Sequence, residues 1–218
     1  MIYGFAVVWE HVDRLINGLI NTVILSVLSA IVALILGSLV AILLMSSNRA
    51  VALCVQGMVD LMRCVPFLML IYLVYYGLPH FGLNLDNWTS GLGALVLYNT
   101  AYMAEILRGI WRRLRKETIE AATAFGFAGS RLYTRIVFPQ VFLAAGPMVG
   151  NQLIQIIKDT AFLTIIAVPE LTQAASAIQA QYFVPFAAFI AAIFLYWALC
   201  ALVECGVFVV ERWAEARR

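Results

Sequence analysis

Apolar residues fill most of this chain in long blocks, and polar residues gather in the intervals between them. Five blocks have the length of a spanning helix, at about 19–44, 65–83, 92–110, 141–168 and 186–210, given that a crossing needs roughly 20 mostly apolar residues. The fourth is the least apolar, because Asn151, Gln152, Gln155, Lys158 and Asp159 interrupt it. A single strand in lipid would leave its backbone groups unpaired, so each block predicts a helix. Before the first block, Trp9, Glu10, His11, Asp13 and Arg14 make an amphipathic mixture suited to the outer interface. Asn17, Asn21 and Thr22 then open the first long helix, on which Gly37 and Ser38 offer a close-packing face. Residues 50–60 predict a short interfacial helix. Pro66 opens the second span, where its missing N–H costs least, and Gly77-Leu78-Pro79 closes it. No internal repeat is evident, and the pattern predicts one all-α polytopic membrane domain over residues 1–218.

Composition agrees with this reading. The chain is 64% hydrophobic and 12% charged, with a mean hydropathy of +0.94, whereas soluble domains are nearer half apolar and a quarter charged. Net charge is only +2, but the placement of the basic residues is informative. Arg49 and Arg63 lie between the first and second blocks. A dense group from Arg108 to Arg135 lies between the third and fourth, and Arg212, Arg217 and Arg218 lie in the tail. Residues 79–90 and 169–185 carry no Lys or Arg. The positive-inside rule therefore puts the N-terminus outside and the C-terminus in the cytoplasm, as an odd number of spans requires. No basic residue precedes Arg14 and no small-residue cleavage site follows a short apolar core, so no removable signal peptide is expected. Cys54, Cys64, Cys200 and Cys205 lack metal-type spacing and read as packing residues.

The one sizeable polar region is the loop 111–140. Within it Glu117 to Phe125 predicts a short helix, with Glu117 and Glu120 early in it and Gly126 as a left-handed terminator. Ala121, Ala122 and Ala124 keep that helix narrow enough to enter a groove in another protein, with Phe125 and Phe127 as its large residues. A second piece, Ser130 to Val137, is basic and is expected to stop before Pro139. Residues of this kind also suit a loop lying on the membrane surface.

Inside the blocks, Asn151, Gln155, Lys158 and Asp159 recur at i, i+4, i+7 and i+8 and share one helix face. Ionisable groups at membrane depth are costly and mark a cavity or a partner, so the stripe reads either as part of a translocation path or gate, or as packing pairs. Glu105 shares a face with Tyr98, Tyr102 and Gly109. It reads as an inner-gate residue or as one half of an ion pair with Arg108 or Arg112. Glu204 stands in the fifth block with no partner evident from sequence. No G-x-x-x-x-G-K-[ST] run is present, since neither Lys116 nor Lys158 follows a glycine, so the chain cannot cradle a nucleotide phosphate as a P-loop does. His11 and His80 are isolated, no H-E-x-x-H occurs, and no nucleophile or metal cluster suggests a membrane-embedded enzyme.

The spacing Glu120-Ala121-Ala122, Gly126, Ile136 and Pro139-Gln140 resembles the docking-loop signature of ABC importer permeases. Three further segments resemble the subgroup for polar amino acids, of the histidine, glutamine, glutamate and arginine type. These are Arg63-Cys64-Val65-Pro66 with Tyr72 to Pro79, Ala101 to Gly109, and Lys158-Asp159-Thr160. The resemblance runs in order from about Asn17 to Trp213. It departs at Arg115-Lys116-Glu117-Thr118, where the subgroup has Pro-Lys-Gly-Gln, and at Ala161 and Phe162, where it has Ser-Leu. The resemblance implies a type I importer permease fold in the bacterial cytoplasmic (inner) membrane, contacting lipid and no nucleic acid. It implies three protein partners: a separate ABC ATPase dimer that holds ATP and Mg, a second identical or paralogous permease, and an extracytoplasmic binding protein. On that reading Glu120, Ala121, Ala122, Phe125, Gly126 and Pro139 couple the chain to the ATPase, and the chain itself carries no cofactor. The runner-up is an ion-gradient-driven secondary transporter or channel, which typically shows repeats or broken helices.

Overall fold

The structure, a computed structural model, describes residues 2–46, 48–114 and 116–215; Arg115 in the loop and Arg217 and Arg218 in the tail fall outside them. Among the described residues, ten α-helices and four turns of π or 3-10 helix follow one another with no strand. Helix α1 (Ile2–Glu10) meets α2 (Val12–Leu44) at His11, whose φ of −114° and ψ of 23° break the helix. The long helix thus begins at Val12, well before the expected start near Leu19. Asn17, Asn21 and Thr22 do not open it but lie within it. Asn21 donates its side-chain amide to the Pro169 carbonyl at 2.8 Å, and the Thr22 hydroxyl accepts from the Leu171 N–H at 3.1 Å.

Helix α3 (Arg49–Cys64) is capped by the Asn48 side chain, which accepts from the Ala50 N–H at 3.1 Å. Val65 is extended (φ −77°, ψ 131°), as a residue before proline prefers to be. The chain bends there by 103° into α4 (Phe67–Tyr72), a π turn (Leu73–Gly77) and a 3-10 turn (Leu78–Phe81). Helix α5 (Asn87–Arg113) starts at Asp86, whose carboxylate accepts from the Trp88 and Thr89 N–H groups at 3.0 and 3.2 Å. Hydrogen bonding to Thr89, through its hydroxyl first, holds the Asp86 carboxyl below its ordinary range.

After the short α6 (Lys116–Ala124), the helices α7 (Gly129–Leu132) and α8 (Phe138–Asp159) join through a π turn (Tyr133–Val137). They continue into a 3-10 turn (Thr160–Ile166), so that 38 residues from Gly129 to Ile166 form one rod. The expected stop before Pro139 is therefore corrected: the helix passes through Phe138. Proline in a helix removes one bond and clashes with the carbonyl four residues back. The π turn relieves both problems, because the Phe138 N–H already reaches five residues back to the Tyr133 carbonyl and the helix is widened there. The other π turn likewise ends two residues before a proline, Pro79. Inside the interval 169–185 lies an unexpected helix, α9 (Leu171–Tyr182), bracketed by Ala167 and Phe183 in the left-handed region, and then α10 (Pro185–Glu215).

Three rods are long and apolar enough to cross a membrane, Val12–Leu44, Gly129–Ile166 and Pro185–Val209, and the bent pair Arg49–Cys64 with Phe67–Phe81 supplies a fourth. Helix α5 has the length, at 27 residues, but Tyr98, Asn99, Thr100, Glu105 and Arg108 lower its apolarity. It can carry them because its neighbours α2, α3, α4 and α8 surround it and bury Asn99, Ala104 and Leu107 almost completely. Where α2 crosses α5, a Cβ on Gly37 would stand 2.7 Å from Met103 Cβ and 3.0 Å from the Ala104 nitrogen. Gly37 is thus the close-packing point that the sequence indicates. Gly37→Leu is expected to cost about 1–3 kcal/mol by overpacking and to lower the melting temperature of the purified protein. Gly57→Leu, where no atom lies within 4 Å, is expected not to. Equal melting of the two variants contradicts this packing.

Candidate functional site

Helix α6 is built to end abruptly. Its last turn closes with the Phe127 N–H on the Ala122 carbonyl and the Gly126 N–H on the Thr123 carbonyl, both at 3.0 Å. With Gly126 at φ 82° this is a Schellman motif, in which the left-handed residue is nearly free of strain only as glycine. The expected terminator is thus in place. Ala122 is buried, while Glu120, Ala121 and Phe125 are exposed, Phe125 at 85%. The helix therefore presents small residues and one bare phenyl ring away from the rest of the chain. Pro139 sits in the first turn of α8, and Val137 and Val141 beside it are buried against Leu107 and Trp111 of α5. That cluster joins the start of α8 to the C-terminal end of α5.

The second set of predicted residues does not form one stripe. Asn151, Gln155 and Lys158 face outward from α8, whereas Asp159 turns inward and is 3% exposed. Gln155 donates to Asp159 Oδ1 at 2.8 Å, and Asp159 Oδ2 has no partner among the described residues. The neighbouring Gln152 donates to Asn99 Oδ1 of α5 at 2.7 Å, tying the two helices together.

Glu105 heads a different cluster. Arg108 Nε donates to Glu105 Oε2 at 2.9 Å, a second Arg108 nitrogen bonds Oε1, and Arg63 of α3 stands 4.0 Å away. The ion pair with Arg108, one of the two alternatives read from sequence, is therefore present; Arg63 joins it from another element. Arg63 also lies over the Tyr102 ring, 5.7 Å from its centre, and its carbonyl accepts from the Tyr102 hydroxyl at 3.4 Å. Tyr102 in turn hydrogen-bonds Tyr98 at 3.1 Å. Along one face of α5 the polar groups thus run from Tyr98 through Tyr102 and Arg63 to the Glu105–Arg108 pair. Arg63 belongs to this line because of the bend at Val65, which nothing in its spacing from Glu105 reveals.

One buried acid escaped the sequence reading altogether. Glu170 is fully buried and caps α9, accepting from the Thr172 and Gln173 N–H groups at 2.7 and 2.6 Å and from the Tyr196 hydroxyl of α10 at 2.8 Å. Together with Thr22, which takes the Leu171 N–H, it satisfies the first three donors of α9. A Cβ on Gly18 would meet Ala174 and the Glu170 carbonyl at 2.9 and 3.0 Å, so α2 approaches closely there as well. Burial pushes the Glu170 carboxyl up, and its hydrogen-bond donors act in the opposite direction. Glutamate is not among the preferred capping residues, and only the tertiary closeness of Tyr196 and Thr22 distinguishes it.

An apolar helical bundle that encloses a polar helix, with a short capped helix projecting from it, is the architecture of a multi-pass membrane protein. The family described as "Binding-protein-dependent transport system inner membrane component" matches residues 33–215, and the chain belongs to it. The chain is similar to the probable glutamine ABC transporter permease protein GlnM of Bacillus subtilis (strain 168), with 27% identity over 96% of this chain and 97% of the relative. The L-cystine transport system permease protein TcyB of the same organism is 31% identical over 96% and 92%. The histidine/lysine/arginine/ornithine transport system permease protein HisQ of Escherichia coli (strain K12) is 32% identical over 80% and 78%. A solved amino acid ABC transporter with histidines superposes with a TM-score of 0.87 at 27% identity, covering 95% of this chain and 97% of that one. The inward-facing methionine transporter MetNI, at 16% identity and a TM-score of 0.81, shares the fold over 92% of this chain and 96% of its own. The fold is thus that of the type I ABC permeases.

Glu170→Ala leaves the Thr172 and Gln173 N–H groups without an acceptor, while the Tyr196 hydroxyl keeps the Thr172 hydroxyl at 3.0 Å, and is expected to cost about 2 kcal/mol or more. Thermal unfolding of the purified protein measures it, with Glu170→Gln falling between wild type and Ala. An unchanged melting temperature in Glu170→Ala removes the capping role.

Proposed function

We propose that this chain is the permease subunit of an ATP-driven importer that carries a polar amino acid or a related compound across the bacterial cytoplasmic membrane. The membership of the family and the amino-acid transporters among the relatives support the substrate class. The observation that carries the coupling half of the reading is α6, a narrow helix ended by Gly126 with Phe125 bare at its tip. Such an end can enter a groove on a separate ATPase dimer. Closure of that dimer on ATP pushes the loop, and the rod Gly129–Ile166 and the end of α5 take up the motion through Val137, Val141, Leu107 and Trp111. On this reading α5 is the fifth crossing, the N-terminus is outside and the C-terminus is cytoplasmic, as the distribution of Lys and Arg indicates. A binding protein delivers substrate from outside, and a second permease subunit completes the path.

Asn151, Gln155, Lys158 and Asp159, with the line from Tyr98 to Glu105, are the polar surfaces from which this chain contributes to the path or its gate. Asp159, buried on α8 and accepting from Gln155 at Oδ1, is the acidic member of the α8 set. Catalysis belongs to the ATPase, and the permease is not itself an enzyme.

The test is co-expression with the ATPase, followed by co-purification and uptake into vesicles. The double variant Glu120→Arg, Gly126→Asp reverses a charge on α6 and strains its end. It is expected to lose ATPase co-purification and ATP-dependent uptake by about tenfold or more, which corresponds to some 1.4 kcal/mol at the contact. Assembly and uptake at the wild-type level would sink the docking role. Uptake that follows an ion gradient and ignores ATP would favour a secondary transporter.

A further inference from the structure

Helix α3 is 16 residues long and packs on the bundle along only one of its sides. That side is centred on Val59, which is 5% exposed and clusters with Val40 and Leu44 of α2 and Ala101 and Ala104 of α5. At about 100° per residue from Val59, the residues Arg63, Gln56, Arg49 and Asp60 fall between about 40° and 100° and form one polar flank. This flank is paired within itself and to α5. Gln56 donates to Asp60 Oδ1 at 2.9 Å, and Arg63 stands 3.7 Å from Asp60 and 4.0 Å from Glu105. From about 120° to 260° every residue is apolar, glycine or cysteine, and every one is exposed. Leu53, Met58 and Leu61 in that sector are 64%, 71% and 62% exposed.

The bend at Val65 indicates what covers this face. The chain turns by 103° between α3 and the rod Phe67–Phe81. A crossing stands about 20° from the membrane normal on average, so α3 runs nearly in the membrane plane. The rod is also short. Its three pieces hold 6, 5 and 4 residues and rise about 24 Å at 1.5 to 2.0 Å per residue. The hydrocarbon core is about 30 Å thick. With the exposed His80 and Phe81 at one interface, the other end of the rod stops about 6 Å short of the opposite headgroups. Helix α3 is attached at that end, and so lies within the leaflet. The exposed Leu36 and Leu43, beside Val40 on the same side of α2, carry the apolar surface of that crossing up to α3.

We propose that α3 is an in-plane helix sunk into one leaflet, with phospholipid acyl chains covering Cys54, Met58 and Leu61. On the orientation given under the proposed function, this is the cytoplasmic leaflet; otherwise the inference rests only on the chain crossing a membrane. The polar flank turns toward the headgroups and Glu105, and the opposite direction, at about 250°, points into the hydrocarbon. Met58 and Cys54 lie nearest that direction, Leu61 next, and Leu53 close to the polar flank. The short rod ties α3 to the far interface, so a thicker bilayer draws α3 deeper, and Arg63 with it. The Glu105 cluster is thereby linked to membrane thickness.

Spin labels measure the depth. Cys54 is a native attachment site once Cys64, Cys200 and Cys205 are replaced by alanine. Leu53→Cys, Met58→Cys and Leu61→Cys, each with Cys54→Ala, supply the other sites on α3, and Glu120→Cys marks the projecting α6. The labelled protein is placed in phosphatidylcholine nanodiscs with and without the ATPase. Collision of each label with oxygen, which concentrates in hydrocarbon, is compared with collision with a water-soluble nickel chelate. Oxygen is expected to be favoured most at Met58 and Cys54, less at Leu61 and least at Leu53, and the nickel chelate at Glu120. The preference for oxygen at Cys54 is expected to rise as the acyl chains are lengthened. The nickel chelate favoured at all four α3 sites would put the face in water and overturn the proposal. Weak collision with both reagents would show a protein cover and overturn it too; weakness seen only with the ATPase present would identify that cover as the ATPase. Equal depth at Leu53 and Met58 would overturn the orientation, and a preference that ignores chain length would overturn the link to thickness. Uptake enters none of these measurements, so loss of the transport reading would leave them standing.

Discussion

The close approach of α2 to α5 at Gly37 is the constraint on which the rest of this structure depends. Lipid offers no partner for a polar group, so a helix bearing Asn99, Thr100, Glu105 and Arg108 can sit at membrane depth only if other helices surround it. Gly37 lets the backbone of α2 come near Met103 and Ala104, and α3, α4 and α8 cover the remaining sides. Once α5 is enclosed, its polar side chains can be spent on internal pairs. Asn99 meets Gln152 of α8, and Glu105 meets Arg108 and Arg63. The small-to-large contacts at Gly18 and Gly150 repeat the device at the α9 and α10 crossings.

Enclosure also sets how the loop outside the bundle joins it. The projecting α6 makes few contacts with the bundle, but the segment after it does not end at Pro139. It runs as one rod to Ile166, and the beginning of that rod shares a buried cluster with the C-terminal end of α5. The start of the rod thus ties α5 to α8 directly. These are the two helices that hold Asp159, Gln155 and the line from Tyr98 to Glu105. At the other end of the same rod, Glu170 and Thr22 fix α9 to α2 and α10.

Much of this was legible in the sequence because it rests on local chemistry. Three of the five apolar blocks correspond to rods, Gly126 marked the end of α6, and the spacing from Glu120 to Pro139 pointed to the family. The errors came where tertiary structure overrode a local rule. Pro139 does not stop its helix, because a π turn absorbs it. Asn17, Asn21 and Thr22 do not open α2, because Asn21 and Thr22 serve the end of the rod and the start of α9. The Asn151–Asp159 stripe divides because Asp159 lies toward α5 while Asn151, Gln155 and Lys158 do not. Arg63 and Glu170 were invisible as site residues because their partners lie 42 and 26 positions away, Glu105 for one and Tyr196 for the other.

The central claim is that α6 is the point where an external ATPase pushes on this chain. Placing a photo-reactive side chain at Phe125, in the protein co-expressed with its ATPase in membranes, tests it most directly. The account predicts a covalent adduct between this chain and the ATPase that forms at Phe125 and not at the equally exposed Phe183, which stands at 85%. Adducts to lipid alone, or equal yields of ATPase adduct from both positions, would contradict it.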